Sequence, residues 1–184
     1  MNKTNIVLVG FMGTGKTATG RLVALRLERS MVDMDTMIEG RAGRKIMEIF
    51  ARDGETRFRE LERQLVVELS ARKNLVITAG GGVVLNPDNI RDFGRTGVVI
   101  CLKASPTAIL QRVRSESHRP LLEGGDKARK LLELLEARKP LYEAIPLQID
   151  TTHLSPESAA ARVVEIYQQA VKEDAGGTPA TPSL

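Results

Sequence analysis

Asn5-Ile6-Val7-Leu8-Val9-Gly10-Phe11-Met12-Gly13-Thr14-Gly15-Lys16-Thr17 joins an apolar run to a glycine-rich turn and then to a helical pattern. Asn5–Val9 has the character of a parallel strand buried on both faces. Gly10–Thr17 fits G-x-x-x-x-G-K-[ST], a loop whose backbone wraps phosphate oxygens with its N–H groups turned inward. Lys16 supplies a point charge to the β- and γ-phosphates, and Thr17 offers a hydroxyl to Mg²⁺. Residues 16–29 carry Leu22, Val23, Leu25 and Leu27, and the first amides of such a helix face the same anion. The expected nucleotide contacts are Gly13, Thr14, Gly15, Lys16, Thr17 and Ala18, with ATP as the phosphate donor.

Outward from this stretch, short apolar runs alternate with helical patterns. Met31–Met34, Leu75–Thr78, Val98–Leu102 and Leu147–Ile149 read as further strands. Helices are expected over 36–53, 56–72, 87–94, 105–114, 126–144 and 156–172, with Gly54 as a stop-start signal. The alternation predicts an α/β fold with a parallel sheet flanked by helices. Chemistry in such folds gathers at the carboxyl ends of the strands. Gly10, Asp33, Asp35 and Gly80–Gly82 all lie there.

The 184 residues fit one domain, expected over 1–173, with the Gly/Pro/Thr-rich stretch 174–184 as a disordered tail. The lone Cys101 lies inside an apolar run and reads as a small core residue. No stretch reaches the ~20 apolar residues that span a bilayer, and the first residues lack a signal-peptide pattern. A cytoplasmic monomer without a membrane partner is expected. Net charge is +4, yet there is no Trp, two Tyr and four Phe, and the basic residues are scattered. That combination argues against nucleic acid and leaves an anionic small molecule to account for the arginines.

A phosphate loop is shared by kinases, GTPases and motor ATPases. Here the Leu75–Thr78 run lacks the terminal Asp of a usual Walker B strand and enters Gly80-Gly81-Gly82 instead. A small-molecule kinase fits better than a switch or a motor. Asp33 and Asp35 stand two apart at a strand end, suited to a metal-side and a substrate-side carboxylate. An isolated pair would read as caps of the next helix; beside the phosphate loop the catalytic reading is preferred. Arg59 can pair with Glu62 three residues on, and by itself would read as a surface ion pair. Arg138 falls in the stripe Leu131, Leu135, Arg138, Tyr142, where an arginine needs an anion. Arg119 lies in a polar segment before Gly124-Gly125, where a lid arginine and a solvated loop arginine stand level. The triple glycine allows backbone to approach a ligand.

The ordered set GFMGTGKT (10–17), DMD (33–35), FRELE (58–62), GGG (80–82), RPLL (119–122) and RKPLY (138–142) resembles the shikimate kinase family nearly end to end. The resemblance implies a three-layer α/β/α fold with a five-stranded parallel sheet of order 2-3-1-4-5. It implies a substrate-binding segment near 34–62 and a lid near 113–125. It further implies transfer of the γ-phosphate of ATP to the 3-hydroxyl of shikimate. On that basis Asp35, Arg59, Gly80, Gly81, Gly82 and Arg138 contact shikimate, and Asp35 polarises the hydroxyl. Lys16 and Arg119 stabilise the moving phosphate, Thr17 and Asp33 serve Mg²⁺, and Arg112 and Pro156 sandwich the adenine. Two competing expectations are a kinase for gluconate or a nucleoside monophosphate, and a catalytically silent nucleotide binder.

Overall fold

The structure, a computed structural model, describes residues 3–115 and 125–176. Five strands, β1 (Asn5–Val9), β2 (Ser30–Asp33), β3 (Leu75–Thr78), β4 (Gly97–Lys103) and β5 (Gln148–Asp150), form one parallel sheet in the order β2-β3-β1-β4-β5. Among the described residues seven helices connect them: α1 (Lys16–Arg26), α2 (Met34–Ala42), α3 (Ile46–Ala71), α4 (Pro87–Thr96), α5 (Pro106–Ser115), α6 (Gly125–Glu143) and α7 (Pro156–Gly176). A single 3-10 turn, Val83–Leu85, leads from β3 toward α4. The expected α/β architecture and strand order are both present.

Alternation along the strands divides the core into two. Val7, Val9, Val32, Ile77 and Cys101 point into one apolar cluster with α3, α4 and α6. Ile6, Leu8, Val76, Ile100 and Leu102 point into the other, with α1 and α7. Each strand of a parallel sheet carries helices on both faces, so both alternating sets must be apolar. All five residues of β1 are buried.

The helix expected over 36–53 is two helices. Gly43, at φ 62°, ends α2 in the left-handed conformation that a helix C-terminus favours. α3 then restarts at Ile46, where Glu48 accepts the Lys45 N–H at 2.9 Å. Gly54 is the expected stop-start point: at φ 82° and ψ 170° it leaves the helical conformation, so α3 is two helical segments that meet at a kink. Ile49 on one side of the kink and Phe58, Leu65 and Leu69 on the other anchor the two segments in one core. α7 also runs to Gly176, so the first residues of the expected tail are helical, whereas 177–184 lie outside the described residues.

Candidate active site

The phosphate loop hangs between β1 and α1. Gly10 (φ 141°), Gly13 (φ 74°) and Gly15 (φ 89°) hold backbone conformations that side chains rarely adopt. At Gly10 space is also decisive, since a Cβ would meet the Leu102 carbonyl oxygen at 2.2 Å. Gly15 is the N-cap of α1, which has no side-chain cap and no acidic residue in its first turn. Its first helical bond runs from Thr19 N–H to the Gly15 carbonyl at 2.9 Å. The amides ahead of that bond, and the positive end of the helix, suit an anion. The Lys16 Nζ lies across the loop, donating to the carbonyls of Gly10 and Phe11 at 2.8 Å each.

Asp33, the last residue of β2, turns its two oxygens to different partners. Its Oδ1 accepts the Thr36 N–H at 3.1 Å and caps α2. Its Oδ2 accepts the hydroxyls of Thr17 (3.0 Å) and Thr78 (2.9 Å). Thr78 was not singled out by sequence; its signal is the register Asp33↔Thr78 at the ends of paired strands. A hydroxyl beside a carboxylate is the oxygen donor pair that Mg²⁺ accepts. Among the described residues no cluster of three or more His, Cys, Asp or Glu could hold a metal. A cation here would therefore complete its shell with phosphate and water, as Mg²⁺ prefers.

The second cluster is built on the glycine triplet after β3. A Cβ on Gly80 would lie 2.7 Å from Asp35 Oδ1, so Asp35 rests against bare backbone. A Cβ on Gly82 would lie 2.2 Å from Arg59 Nη1. The Gly81 carbonyl accepts from Tyr142 Oη at 2.5 Å and from Arg138 Nη1 at 3.5 Å. Each glycine thus abuts a polar side chain that sequence distance concealed. Arg59 donates to Glu62 at 2.8 Å and to Glu55 at 3.0 and 3.2 Å. Its guanidinium also lies 5.1 Å from the Phe58 ring centroid. Arg138 is half-buried, and among the described residues it has no carboxylate within ion-pair distance.

Glu62 is the residue whose weight was underestimated. It is 2% exposed, with one oxygen on Arg59 and Oε1 without a protein hydrogen-bond partner. Burial pushes its carboxyl above the ordinary value, Arg59 pulls it back down, and Asp35 pushes it further up. The two partners feel the pair differently. Burial lowers the Arg59 guanidinium, but Glu62 and Glu55 outweigh it and hold it above the ordinary value. For Glu62, sealed from water, desolvation outweighs the partner. The apolar stripe of α3 gave the signal, because Glu62 sits between Phe58 and Leu65 on that face.

Of the remaining expected positions, Arg112 donates to the carbonyls of Gly13, Thr151 and Thr152 at 3.3, 2.6 and 3.3 Å. Pro156 opens α7 and is exposed. Thr17 and Ala18 are exposed at the start of α1. Cys101 is buried, and burial raises its thiol to about 11, in keeping with a core residue. Arg119 and most of the 113–125 lid lie outside the described residues.

The family profile described as Shikimate kinase matches residues 12–168. The chain belongs to the shikimate kinase family. It is 43% identical over 165 residues to the shikimate kinase of Thermodesulfovibrio yellowstonii, covering 90% of this chain and 95% of that one. The shikimate kinase of Pelotomaculum thermopropionicum is 44% identical, covering 90% and 96%. Among solved structures, the Acinetobacter baumannii shikimate kinase in complex with shikimate superimposes with a TM-score of 0.81 at 36% identity, covering 92% of this chain and 94% of that one. Membership in the shikimate kinase family makes the chain an ATP-dependent kinase.

Proposed function

We propose that this enzyme transfers the γ-phosphate of ATP to the 3-hydroxyl of shikimate, giving shikimate 3-phosphate and ADP. The observation that carries the reading is the glycine triplet, where Asp35, Arg59 and the Arg138–Tyr142 pair converge on three consecutive backbone positions. Two arginines around bare backbone suit a carboxylate ligand, because guanidinium forks match its geometry. Arg59 comes pre-oriented by Glu62, so less side-chain freedom is lost on binding. Arg138, with a carbonyl for its hydrogen-bond partner, gains an anion when the acid binds.

In this reading Asp35 accepts a hydrogen bond from the attacking hydroxyl and takes its proton as the new P–O bond forms. Lys16 leaves the loop carbonyls for the β- and γ-phosphate oxygens, where its charge offsets the negative charge spread over the transferring group. Thr17 and Asp33 would hold Mg²⁺, which supplies charge neutralisation at the phosphates. Arg112 and Pro156 flank the adenine, and Arg119, outside the described residues, is the further charge assigned to the moving phosphate. We further read the chain as a cytoplasmic monomer, a state that analytical ultracentrifugation at assay concentration checks.

A coupled ADP-release assay with shikimate, gluconate, AMP and CMP tests the acceptor. Turnover with shikimate alone is expected; silence with shikimate and turnover with another acceptor would sink the assignment. Asp35→Asn is expected to lower kcat by at least about a thousandfold while ATP affinity stays within about twofold. Wild-type turnover in that variant would remove Asp35 from the chemistry.

A further inference from the structure

Thr151, the residue after β5, is buried, although it lies in a connecting segment whose next residues are progressively exposed. Its N–H donates to the Lys103 carbonyl at 2.8 Å. Its Oγ1 lies 3.0 Å from the Thr14 carbonyl, 3.1 Å from the Lys103 carbonyl and 3.2 Å from Arg112 Nη1. A hydroxyl has one proton to give. The Thr14 carbonyl is the nearer of the two acceptors and the Lys103 carbonyl is already served by the Thr151 N–H, so the Thr14 bond is the one the hydroxyl adds, and its oxygen accepts from Arg112. Arg112 also donates to the Gly13 carbonyl at 3.3 Å.

These bonds grip two consecutive peptide units of the phosphate loop from one side. No peptide among the described residues is cis, and in a trans peptide the C=O and the following N–H point in opposite directions. Holding the Gly13 carbonyl on Arg112 therefore aims the Thr14 N–H away from Arg112. Holding the Thr14 carbonyl on Thr151 aims the Gly15 N–H away from Thr151. The loop needs such ties because Gly13 and Gly15, at φ 74° and 89°, have the freedom to turn these peptides over. Sequence separation hides the device: Thr151 and Thr14 are 137 residues apart, and Arg112 and Gly13 are 99 apart.

We infer that the Thr151 hydroxyl, with Arg112, is a positioning device that orients the Thr14 and Gly15 amides toward bound phosphate. The role rests on Gly10–Thr17 being the phosphate cradle, and it differs from contact with the base. Inorganic tripolyphosphate separates the two, since it carries the charge of the nucleotide tail and no base.

Calorimetric titration of the full chain with ATP, tripolyphosphate and adenosine, each with Mg²⁺, tests it in wild type, Thr151→Val and Thr151→Ser. Valine keeps the branched shape and leaves the Thr14 carbonyl without its partner. Loss of a buried hydrogen bond predicts about a tenfold weaker affinity for ATP and for tripolyphosphate alike. Adenosine should bind as in wild type, and serine should restore both phosphate ligands. Wild-type tripolyphosphate affinity in the valine variant would overturn the role, as would equal weakening of adenosine or failure of serine to rescue. If the valine variant does not fold, Arg112→Lys keeps the charge and removes the guanidinium fork. It should also weaken tripolyphosphate, and unchanged binding there would overturn the inference. Absence of tripolyphosphate binding to wild type would remove the cradle reading and the inference with it.

Discussion

Gly82→Ala separates binding from folding at the glycine triplet. Gly82 sits at φ −95° and ψ −1°, in the bridge region that residues with a Cβ also adopt. Its Cβ would lie 2.2 Å from Arg59 Nη1, 2.3 Å from Nη2 and 2.5 Å from Cζ. Ordinary contact begins at 3.4 Å, so the guanidinium must retreat by about 1.2 Å, the difference 3.4 − 2.2. That retreat exceeds the roughly 0.4 Å by which its 2.8 Å bond to Glu62 can lengthen within the ordinary range, and it breaks the alignment. The moving group is the far end of a flexible side chain, so stability should hold. The shift removes about 1.5–2 kcal/mol of charge-assisted bonding to a substrate carboxylate, at the low end because Arg59 is partly exposed. KM for shikimate should then rise by about 10–30-fold, with kcat changed far less. Steady-state kinetics with a coupled ADP assay reads both, and a thermal melt reads the fold. A wild-type KM for shikimate would refute the placing of Arg59 against the substrate. A melting temperature lowered by more than about 5 °C would refute the view that the side chain, not the backbone, yields.

Gly10→Ala should behave in the opposite way, because its Cβ would strike the Leu102 backbone oxygen at a φ of 141°. A loss of about 3 kcal/mol, or about 6–12 °C in the melting temperature, is expected; an unaltered melt would show that the loop can relax. Glu62→Gln tests the buried carboxylate. The folded-state value of Glu62 is raised above 4.5 by burial, so its stabilising protonation is complete below the unfolded value and is lost as pH rises through the folded one. Glutamine does not titrate, and the melting temperature of the variant relative to wild type should climb from pH 4.5 upward. A difference that stays flat to pH 8 would remove the burial effect. The same variant should raise KM for shikimate, because Arg59 loses its charged anchor.

Much of the frame was legible in sequence because its causes are local or periodic. Asn5–Val9 must be buried on both faces, and Gly10–Thr17 carries its conformational demands in its own glycines. Asp33, Asp35 and Gly80–Gly82 could be placed at strand ends from hydropathy alone. The break at Gly54 was legible, whereas the earlier one between α2 and α3 was not. Both glycines interrupt the helical run, Gly43 at φ 62° as a left-handed cap and Gly54 at φ 82° and ψ 170° as a kink.

By itself the sequence determined the phosphate loop, the order of strands and helices, and the residue types available for an acidic acceptor. Tertiary structure alone decided who meets whom. It set Thr78 beside Asp33, Tyr142 on Gly81, Glu62 in the core behind Arg59, and Thr151 behind Thr14. The physical reason is range. Backbone conformation answers to neighbours within a few residues, while a hydrogen bond across 45, 61 or 137 residues forms only after the sheet has brought its strand ends together.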